Sequence, residues 1–242
     1  MCTVSFIPAG DKVFITHNRD EKSSRTKAIP PGEYNINGYT LLFPRDSAAG
    51  GSWIACTSTG AAAVLLNGGF TQHLQQPLYR KSRGLIFLEI VASGDLMAAY
   101  HTTNLNGIEP FTMILWEKSI LFECRWDGQR KHIAAPDAGL PHTWSSVTLY
   151  DAGITATRKT WFDNWLQLFP APSMEDILQF HLSAGDGDTK NDLRMNRDGK
   201  MLTVSVTAME INDNNAIMQY IDLQDNTRSI HHFNFTKAAA LQ

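Results

Sequence analysis

No window of the 242-residue sequence comes near the ~20 consecutive apolar residues that a membrane-spanning helix needs. An excess of one charge is lacking too. The 21 basic and 24 acidic residues leave a net charge of -3, which offers no field for nucleic acid or an anionic membrane. Neither GxxxxGK[ST] nor GxGxxG occurs, so nucleotide binding has no support. Cysteine is scarce: Cys2, Cys56 and Cys124 are odd in number and far apart, which argues against a disulfide framework and a paired-cysteine metal site. The acidic run from Asp186 to Asp192 has Lys190 at a ligand position and no glycine at the sixth, so it is not an EF-hand loop. His231 and His232 adjoin in a strand and point to opposite faces, and His181 falls on the apolar face of its helix as a core residue. Neither metal nor cofactor is expected. Asp11, Lys12, His17 and Arg19 interrupt any signal-peptide core, so the expected location is cytoplasmic.

What is present is period-two patterning with turn punctuation. Thr3 to Ile7 and Lys12 to His17 flank Pro8-Ala9-Gly10-Asp11 as a hairpin. Residues 22–37, with Pro30-Pro31-Gly32, read as an exposed loop. Tyr39 to Phe43, Ser52 to Ser58 and Ala61 to Leu66 follow as strands, the last two joined at Thr59-Gly60. Arg80 to Ser93 is a helix too apolar for one buried face, and a short helix capped by Asp95 runs to His101. Strands return at Phe111 to Trp116 and Ile120 to Trp126. Helices cover Thr155 to Leu168, with Trp161, Trp165 and Leu168 on one stripe, and Ser173 to about Gly185, opened by a capping box. Leu202 to Ile211, Ala216 to Leu223 and Ser229 to Phe235 close the chain as strands. The order lacks strict βαβ alternation. It predicts an α+β domain over residues 1–242, mainly antiparallel, with two sheets packed face to face under helices.

Three constellations carry chemistry. Cys56 and Cys124 sit in apolar strands as small hydrophobes, whereas Cys2 directly follows the initiator. Once Met1 is removed, Cys2 holds an α-amine of pKa roughly 7.7–8.0 beside a thiol of roughly 8.5, so one residue can supply both nucleophile and base. His17-Asn18-Arg19-Asp20-Glu21 closes the strand hairpinned to it. Asp20 can orient the amine, while His17, Asn18 or Arg19 can position substrate or neutralise an acidic one. Asn67, followed by Gly68 and Gly69, can serve an oxyanion hole.

Together, MCT at the start, HNRDE at residues 17–21, Asp46 with GGSW at 50–53 and LLN at 65–67 resemble the NRDE family of transport and Golgi organisation proteins. That family is similar to the N-terminal nucleophile hydrolases, in the cysteine branch of penicillin V acylases and bile salt hydrolases. The resemblance implies a four-layer αββα sandwich, with Cys2 as nucleophile, Asp20 holding the amine and Asn67 on the oxyanion side. It also shows departures. His17 stands where the acylases have an arginine, Ser145-Ser146 where they have an asparagine, and their C-terminal arginine has candidates in Arg194, Arg197 and Lys200. The expected activity is amide hydrolysis or acyl transfer on a small non-peptide substrate. The alternative is a non-enzymatic haem or lipid carrier on the same fold.

Overall fold

Alternating apolar residues in the first hairpin build the centre of one sheet. β1 (Cys2–Ala9) and β2 (Lys12–Lys22) are joined through Gly10, whose φ of +66° suits a tight turn. The computed structural model describes residues 2–236. Among these, β10 (His142–Ser145), β1, β2, β12 (Met201–Ile211), β13 (Asn215–Asp222) and β14 (Thr227–Asn234) lie side by side in that order, and β11 (Asn196–Arg197) pairs with β12. The second sheet runs β3 (Ile29–Ile36), β4 (Tyr39–Arg45), β5 (Ile54–Thr57), β6 (Ala62–Asn67), β7 (Phe111–Glu117), β8 (Ile120–Trp126) and β9 (Lys131–Ala134) in chain order. Every strand pairing among the described residues is antiparallel.

Period-two alternation gives the first sheet two different faces. Val4, Phe6, Ile15, Met209 and Met218 point inward and join Leu41, Val64, Met113 and Leu115 of the second sheet in one core. Ile7, Phe14, Val206 and Ala208 point outward to α3 (Ala152–Leu168) and α4 (Met174–Ser183). On the far side α1 (Arg83–Val91) and α2 (Leu96–Thr102) cover the second sheet, with Phe87, Ile90 and Tyr100 fully buried. The layers are therefore helix, sheet, sheet, helix, as the antiparallel pattern predicts.

The expected loop at residues 22–37 is corrected: Ile29–Ile36 is a strand. It lies at the edge of its sheet, and its register shifts between Ile29 and Gly32, around Pro30 and Pro31. An edge strand with a bulge tolerates prolines that a central one would not. The stripe on α3 also differs, because Leu168 is 78% exposed. Arg158 and Phe162 are buried there instead, with Trp161 and Trp165 packed beside them.

Candidate active site

Strand alternation sorts the HNRDE segment onto two faces. Cys2 and Arg19 are direct partners in the β1–β2 ladder, so both side chains point into the space between the sheets. Arg19 donates to Asp46 Oδ2 at 2.9 Å, and its guanidinium lies 4.2 Å over the Trp53 ring. Asp46 holds its own loop as well. Its Oδ1 accepts from the main-chain N–H groups of Ala48 and Ala49, while Oδ2 also takes Arg25 at 2.8 Å. Burial alone would raise the Asp46 carboxyl, but the Arg25 and Ala49 hydrogen bonds and the nearby guanidinium charges outweigh it and hold the pKa low. The arginine of NRDE and the tryptophan of GGSW are thus two sides of one contact.

Gly51 explains the double glycine. A Cβ there would sit 2.5 Å from the Gly84 carbonyl carbon, in the first turn of α1. The close approach brings Ser82, Arg83 and Gly84 to the rim of a cleft of about 420 Å³, whose other walls include Cys2, Arg19, Asp46, Trp53 and Asn67. Arg83, tied to Glu109 at 3.1 Å, has a pKa lowered by burial. Gly51→Ala is expected to cost about 3 kcal/mol, because two backbones must part rather than one side chain repack. Chemical denaturation would read this loss, and a value under about 1 kcal/mol would refute the close-packing account.

Asn18 and Asp20 face the opposite way. Asn18 donates to the carbonyls of His181 and Leu193 and accepts from His181 Nδ1 at 2.6 Å. It is fixed against the helix layer and does not line the cleft. His17 shares the face of Arg19 but lies two ladder pairs deeper, fully buried between the sheets. Burial lowers its pKa well below the usual histidine range. The structure therefore brings Cys2, Arg19 and Asn67 to one cleft, and leaves His17 and Asn18 outside it.

Asp20 sits one place beyond the partner of Cys2, beside the start of β1. Its Oδ2 accepts from Tyr150 at 2.7 Å and its Oδ1 from Thr203 at 2.6 Å. Burial raises its pKa, against which the charge of Arg158 and the Thr203 hydrogen bond act. Burial likewise pushes the Cys2 thiol up, and the Asp20 carboxylate adds to that. Ser146 donates its N–H to the Cys2 carbonyl at 2.9 Å and its hydroxyl to the Asn67 carbonyl at 2.7 Å, so the Ser145-Ser146 segment does reach the N-terminal strand. Arg194 and Lys200 are exposed and Arg197 bonds the Leu149 carbonyl. The fully buried arginine near Asp20 is Arg158, which no local pattern singles out. Among the described residues no group of three or more His, Cys, Asp and Glu side chains is placed to hold a metal ion, and no helix is long and apolar enough to cross a membrane.

This architecture is the fold of the N-terminal nucleophile hydrolases. The chain superposes on a conjugated bile acid hydrolase of Clostridium perfringens with a TM-score of 0.60 at 8% identity, covering 98% of this chain and 97% of that one. A penicillin V acylase from Agrobacterium tumefaciens gives 0.62 at 12% identity over 98% and 87% of the two chains. The Caenorhabditis elegans orthologue of N-acylethanolamine-hydrolyzing acid amidase gives 0.58 at 12%, over 86% and 92%. No curated protein sequence matches. The profile of the Transport and Golgi organisation 2 family matches residues 1–144, more than half of the chain, and the chain belongs to that family.

Proposed function

We propose that the protein is an N-terminal cysteine amidohydrolase or acyltransferase acting on a small non-peptide amide, with residues 1–242 as one domain. The observation that carries this reading is the convergence of Cys2, Arg19 and Asn67 on one cleft, with Asp20 at the start of the strand that bears Cys2. Loss of Met1 exposes the α-amine of Cys2. That amine takes the Sγ proton as sulfur attacks the amide carbon, forming a C–S bond while the carbonyl electrons move onto oxygen. The Asn67 amide stabilises the resulting oxyanion. Collapse breaks the C–N bond, the ammonium passes its proton to the departing nitrogen, and a thioester remains. Water, deprotonated by the same amine, then releases the acid and the proton returns to sulfur; an amine acceptor in place of water gives acyl transfer.

Burial favours a neutral resting thiol, so an adjacent base is what the chemistry requires. Arg19, locked by Asp46 and Trp53, shapes the pocket and offers a fixed positive charge to an acidic substrate. The reading is also supported by the acylase and amidase neighbours in fold. The intact mass of the natively expressed protein tests the proposal: the expected mass lacks Met1, and a population that wholly retains it removes the base.

A further inference from the structure

Segment 145–158 wraps the start of β1. Ser146 is hydrogen-bonded to the Cys2 carbonyl, Tyr150 to Asp20, and Asp151 caps the helix that carries Arg158. The Arg158 guanidinium stacks 3.6 Å over the Tyr150 ring, and that of Arg197 lies 5.4 Å from its centre. Arg158 is 1% exposed, yet its hydrogen bonds go to uncharged oxygens: the carbonyls of Asn191 and Asp192 and the hydroxyl of Thr3. A buried cation without a contacting carboxylate is costly unless an anion lies close by. Asp20 is a carboxylate on which its charge acts.

We propose that Tyr150, stacked on Arg158, is a positioning residue that holds the Asp20 carboxylate ionised and oriented beside the first residue of the processed chain. The phenol O–H fixes Oδ2 while Thr203 fixes Oδ1, so the carboxylate cannot rotate. The arginine supplies the charge that makes the anion tolerable in a buried site. A phenylalanine would stack on the guanidinium equally well, so the stack alone does not call for a hydroxyl; the bond to Asp20 does. The titratable and charged groups that act on this carboxylate include Cys2 on β1, Tyr150 on the wrapping segment and Arg158 on α3, while Arg197 on β11 lies against the Tyr150 ring. Arg19 and Glu21, the sequence neighbours of Asp20, point to the other face.

This inference rests on the reading of Cys2 as nucleophile for its meaning, but its test does not. With carbon-13-labelled aspartate and Asp20→Asn for assignment, the Asp20 carboxyl titration is followed by NMR in the wild type and in Tyr150→Phe. Loss of one hydrogen bond to the charged form is expected to move the titration up by about one pH unit, a tenfold change in proton affinity. Arg158→Gln should raise it as well, and Arg158→Lys should restore it. In protein shown by mass to have lost Met1, the pH profile of Cys2 alkylation by iodoacetamide should shift along with the carboxyl. An Asp20 titration that superposes on wild type in Tyr150→Phe overturns the proposal. If that variant does not fold, identical Asp20 titrations in the Arg158→Gln and Arg158→Lys pair overturn it. Retained Met1 would sink the nucleophile and leave the carboxyl titration standing.

Discussion

Cys2→Ala is expected to abolish turnover of any acyl amide that the protein cleaves, by on the order of 10³-fold or more, because nucleophile and proton donor vanish together. The fold should survive, since the change trims one sulfur from a strand end and costs at most a few kcal/mol. Cys56→Ala and Cys124→Ala give the opposite pattern. Both are fully buried, with thiol pKa values pushed up by burial, to about 12 for Cys124, so neither forms a thiolate near neutral pH. Their loss should lower stability and leave turnover intact. A panel of acyl amides, assayed beside thermal unfolding of all three variants, separates the cases. Hydrolysis by Cys2→Ala at the wild-type rate would sink the nucleophile assignment.

How much of this was legible in the sequence depends on the distance over which a signal acts. The hairpin that sets Cys2 opposite Arg19 is local and follows from alternation about Gly10. The same alternation also forbids Asn18 and Arg19 from sharing a pocket, because neighbours in a strand face opposite sides. The tetrapeptide itself therefore puts only one of the two on the cleft side, Arg19. Burial of His17 was less accessible, since its face is right and only its depth beneath the cleft differs. Pro30 and Pro31 hid an edge strand, because their effect depends on which side of the sheet is paired. Tyr150 and Arg158 carry no local signal at all. Tyr150 meets Asp20 across 130 residues, and Arg158 meets Thr3 across 155, on partners that only the packing of α3 defines.

The two buried histidines, one under the cleft and one beneath the helix layer, dictate the strongest response to acid. His181 is fully buried and engaged through both ring nitrogens, with Asn18 Oδ1 at 2.6 Å and Ser5 Oγ at 2.7 Å. Burial first, and then the charge of Arg158, lower its pKa to about 3. His17 is depressed in the same direction, chiefly by burial. In the unfolded chain both titrate near ~6.5. Below that pH the unfolded state binds up to two protons that the folded state refuses, so stability falls as pH falls. The slope approaches about 2.7 kcal/mol per pH unit between pH ~6 and ~4. Asp20, whose folded pKa is raised, acts in the opposite sense and softens the slope. Asp46 is depressed and loses its contribution only at still lower pH. Against a total of about 5–15 kcal/mol, the roughly 5 kcal/mol lost by pH ~4 is a large share of the stability. Urea unfolding across this range should show the positive slope. His181→Gln should cost stability at pH 7 yet roughly halve the pH dependence, since one of the two refused protons is gone. A wild-type stability that stays flat from pH 6 to 4 would mean that both imidazoles protonate within the fold, and that the core beneath the cleft opens to water.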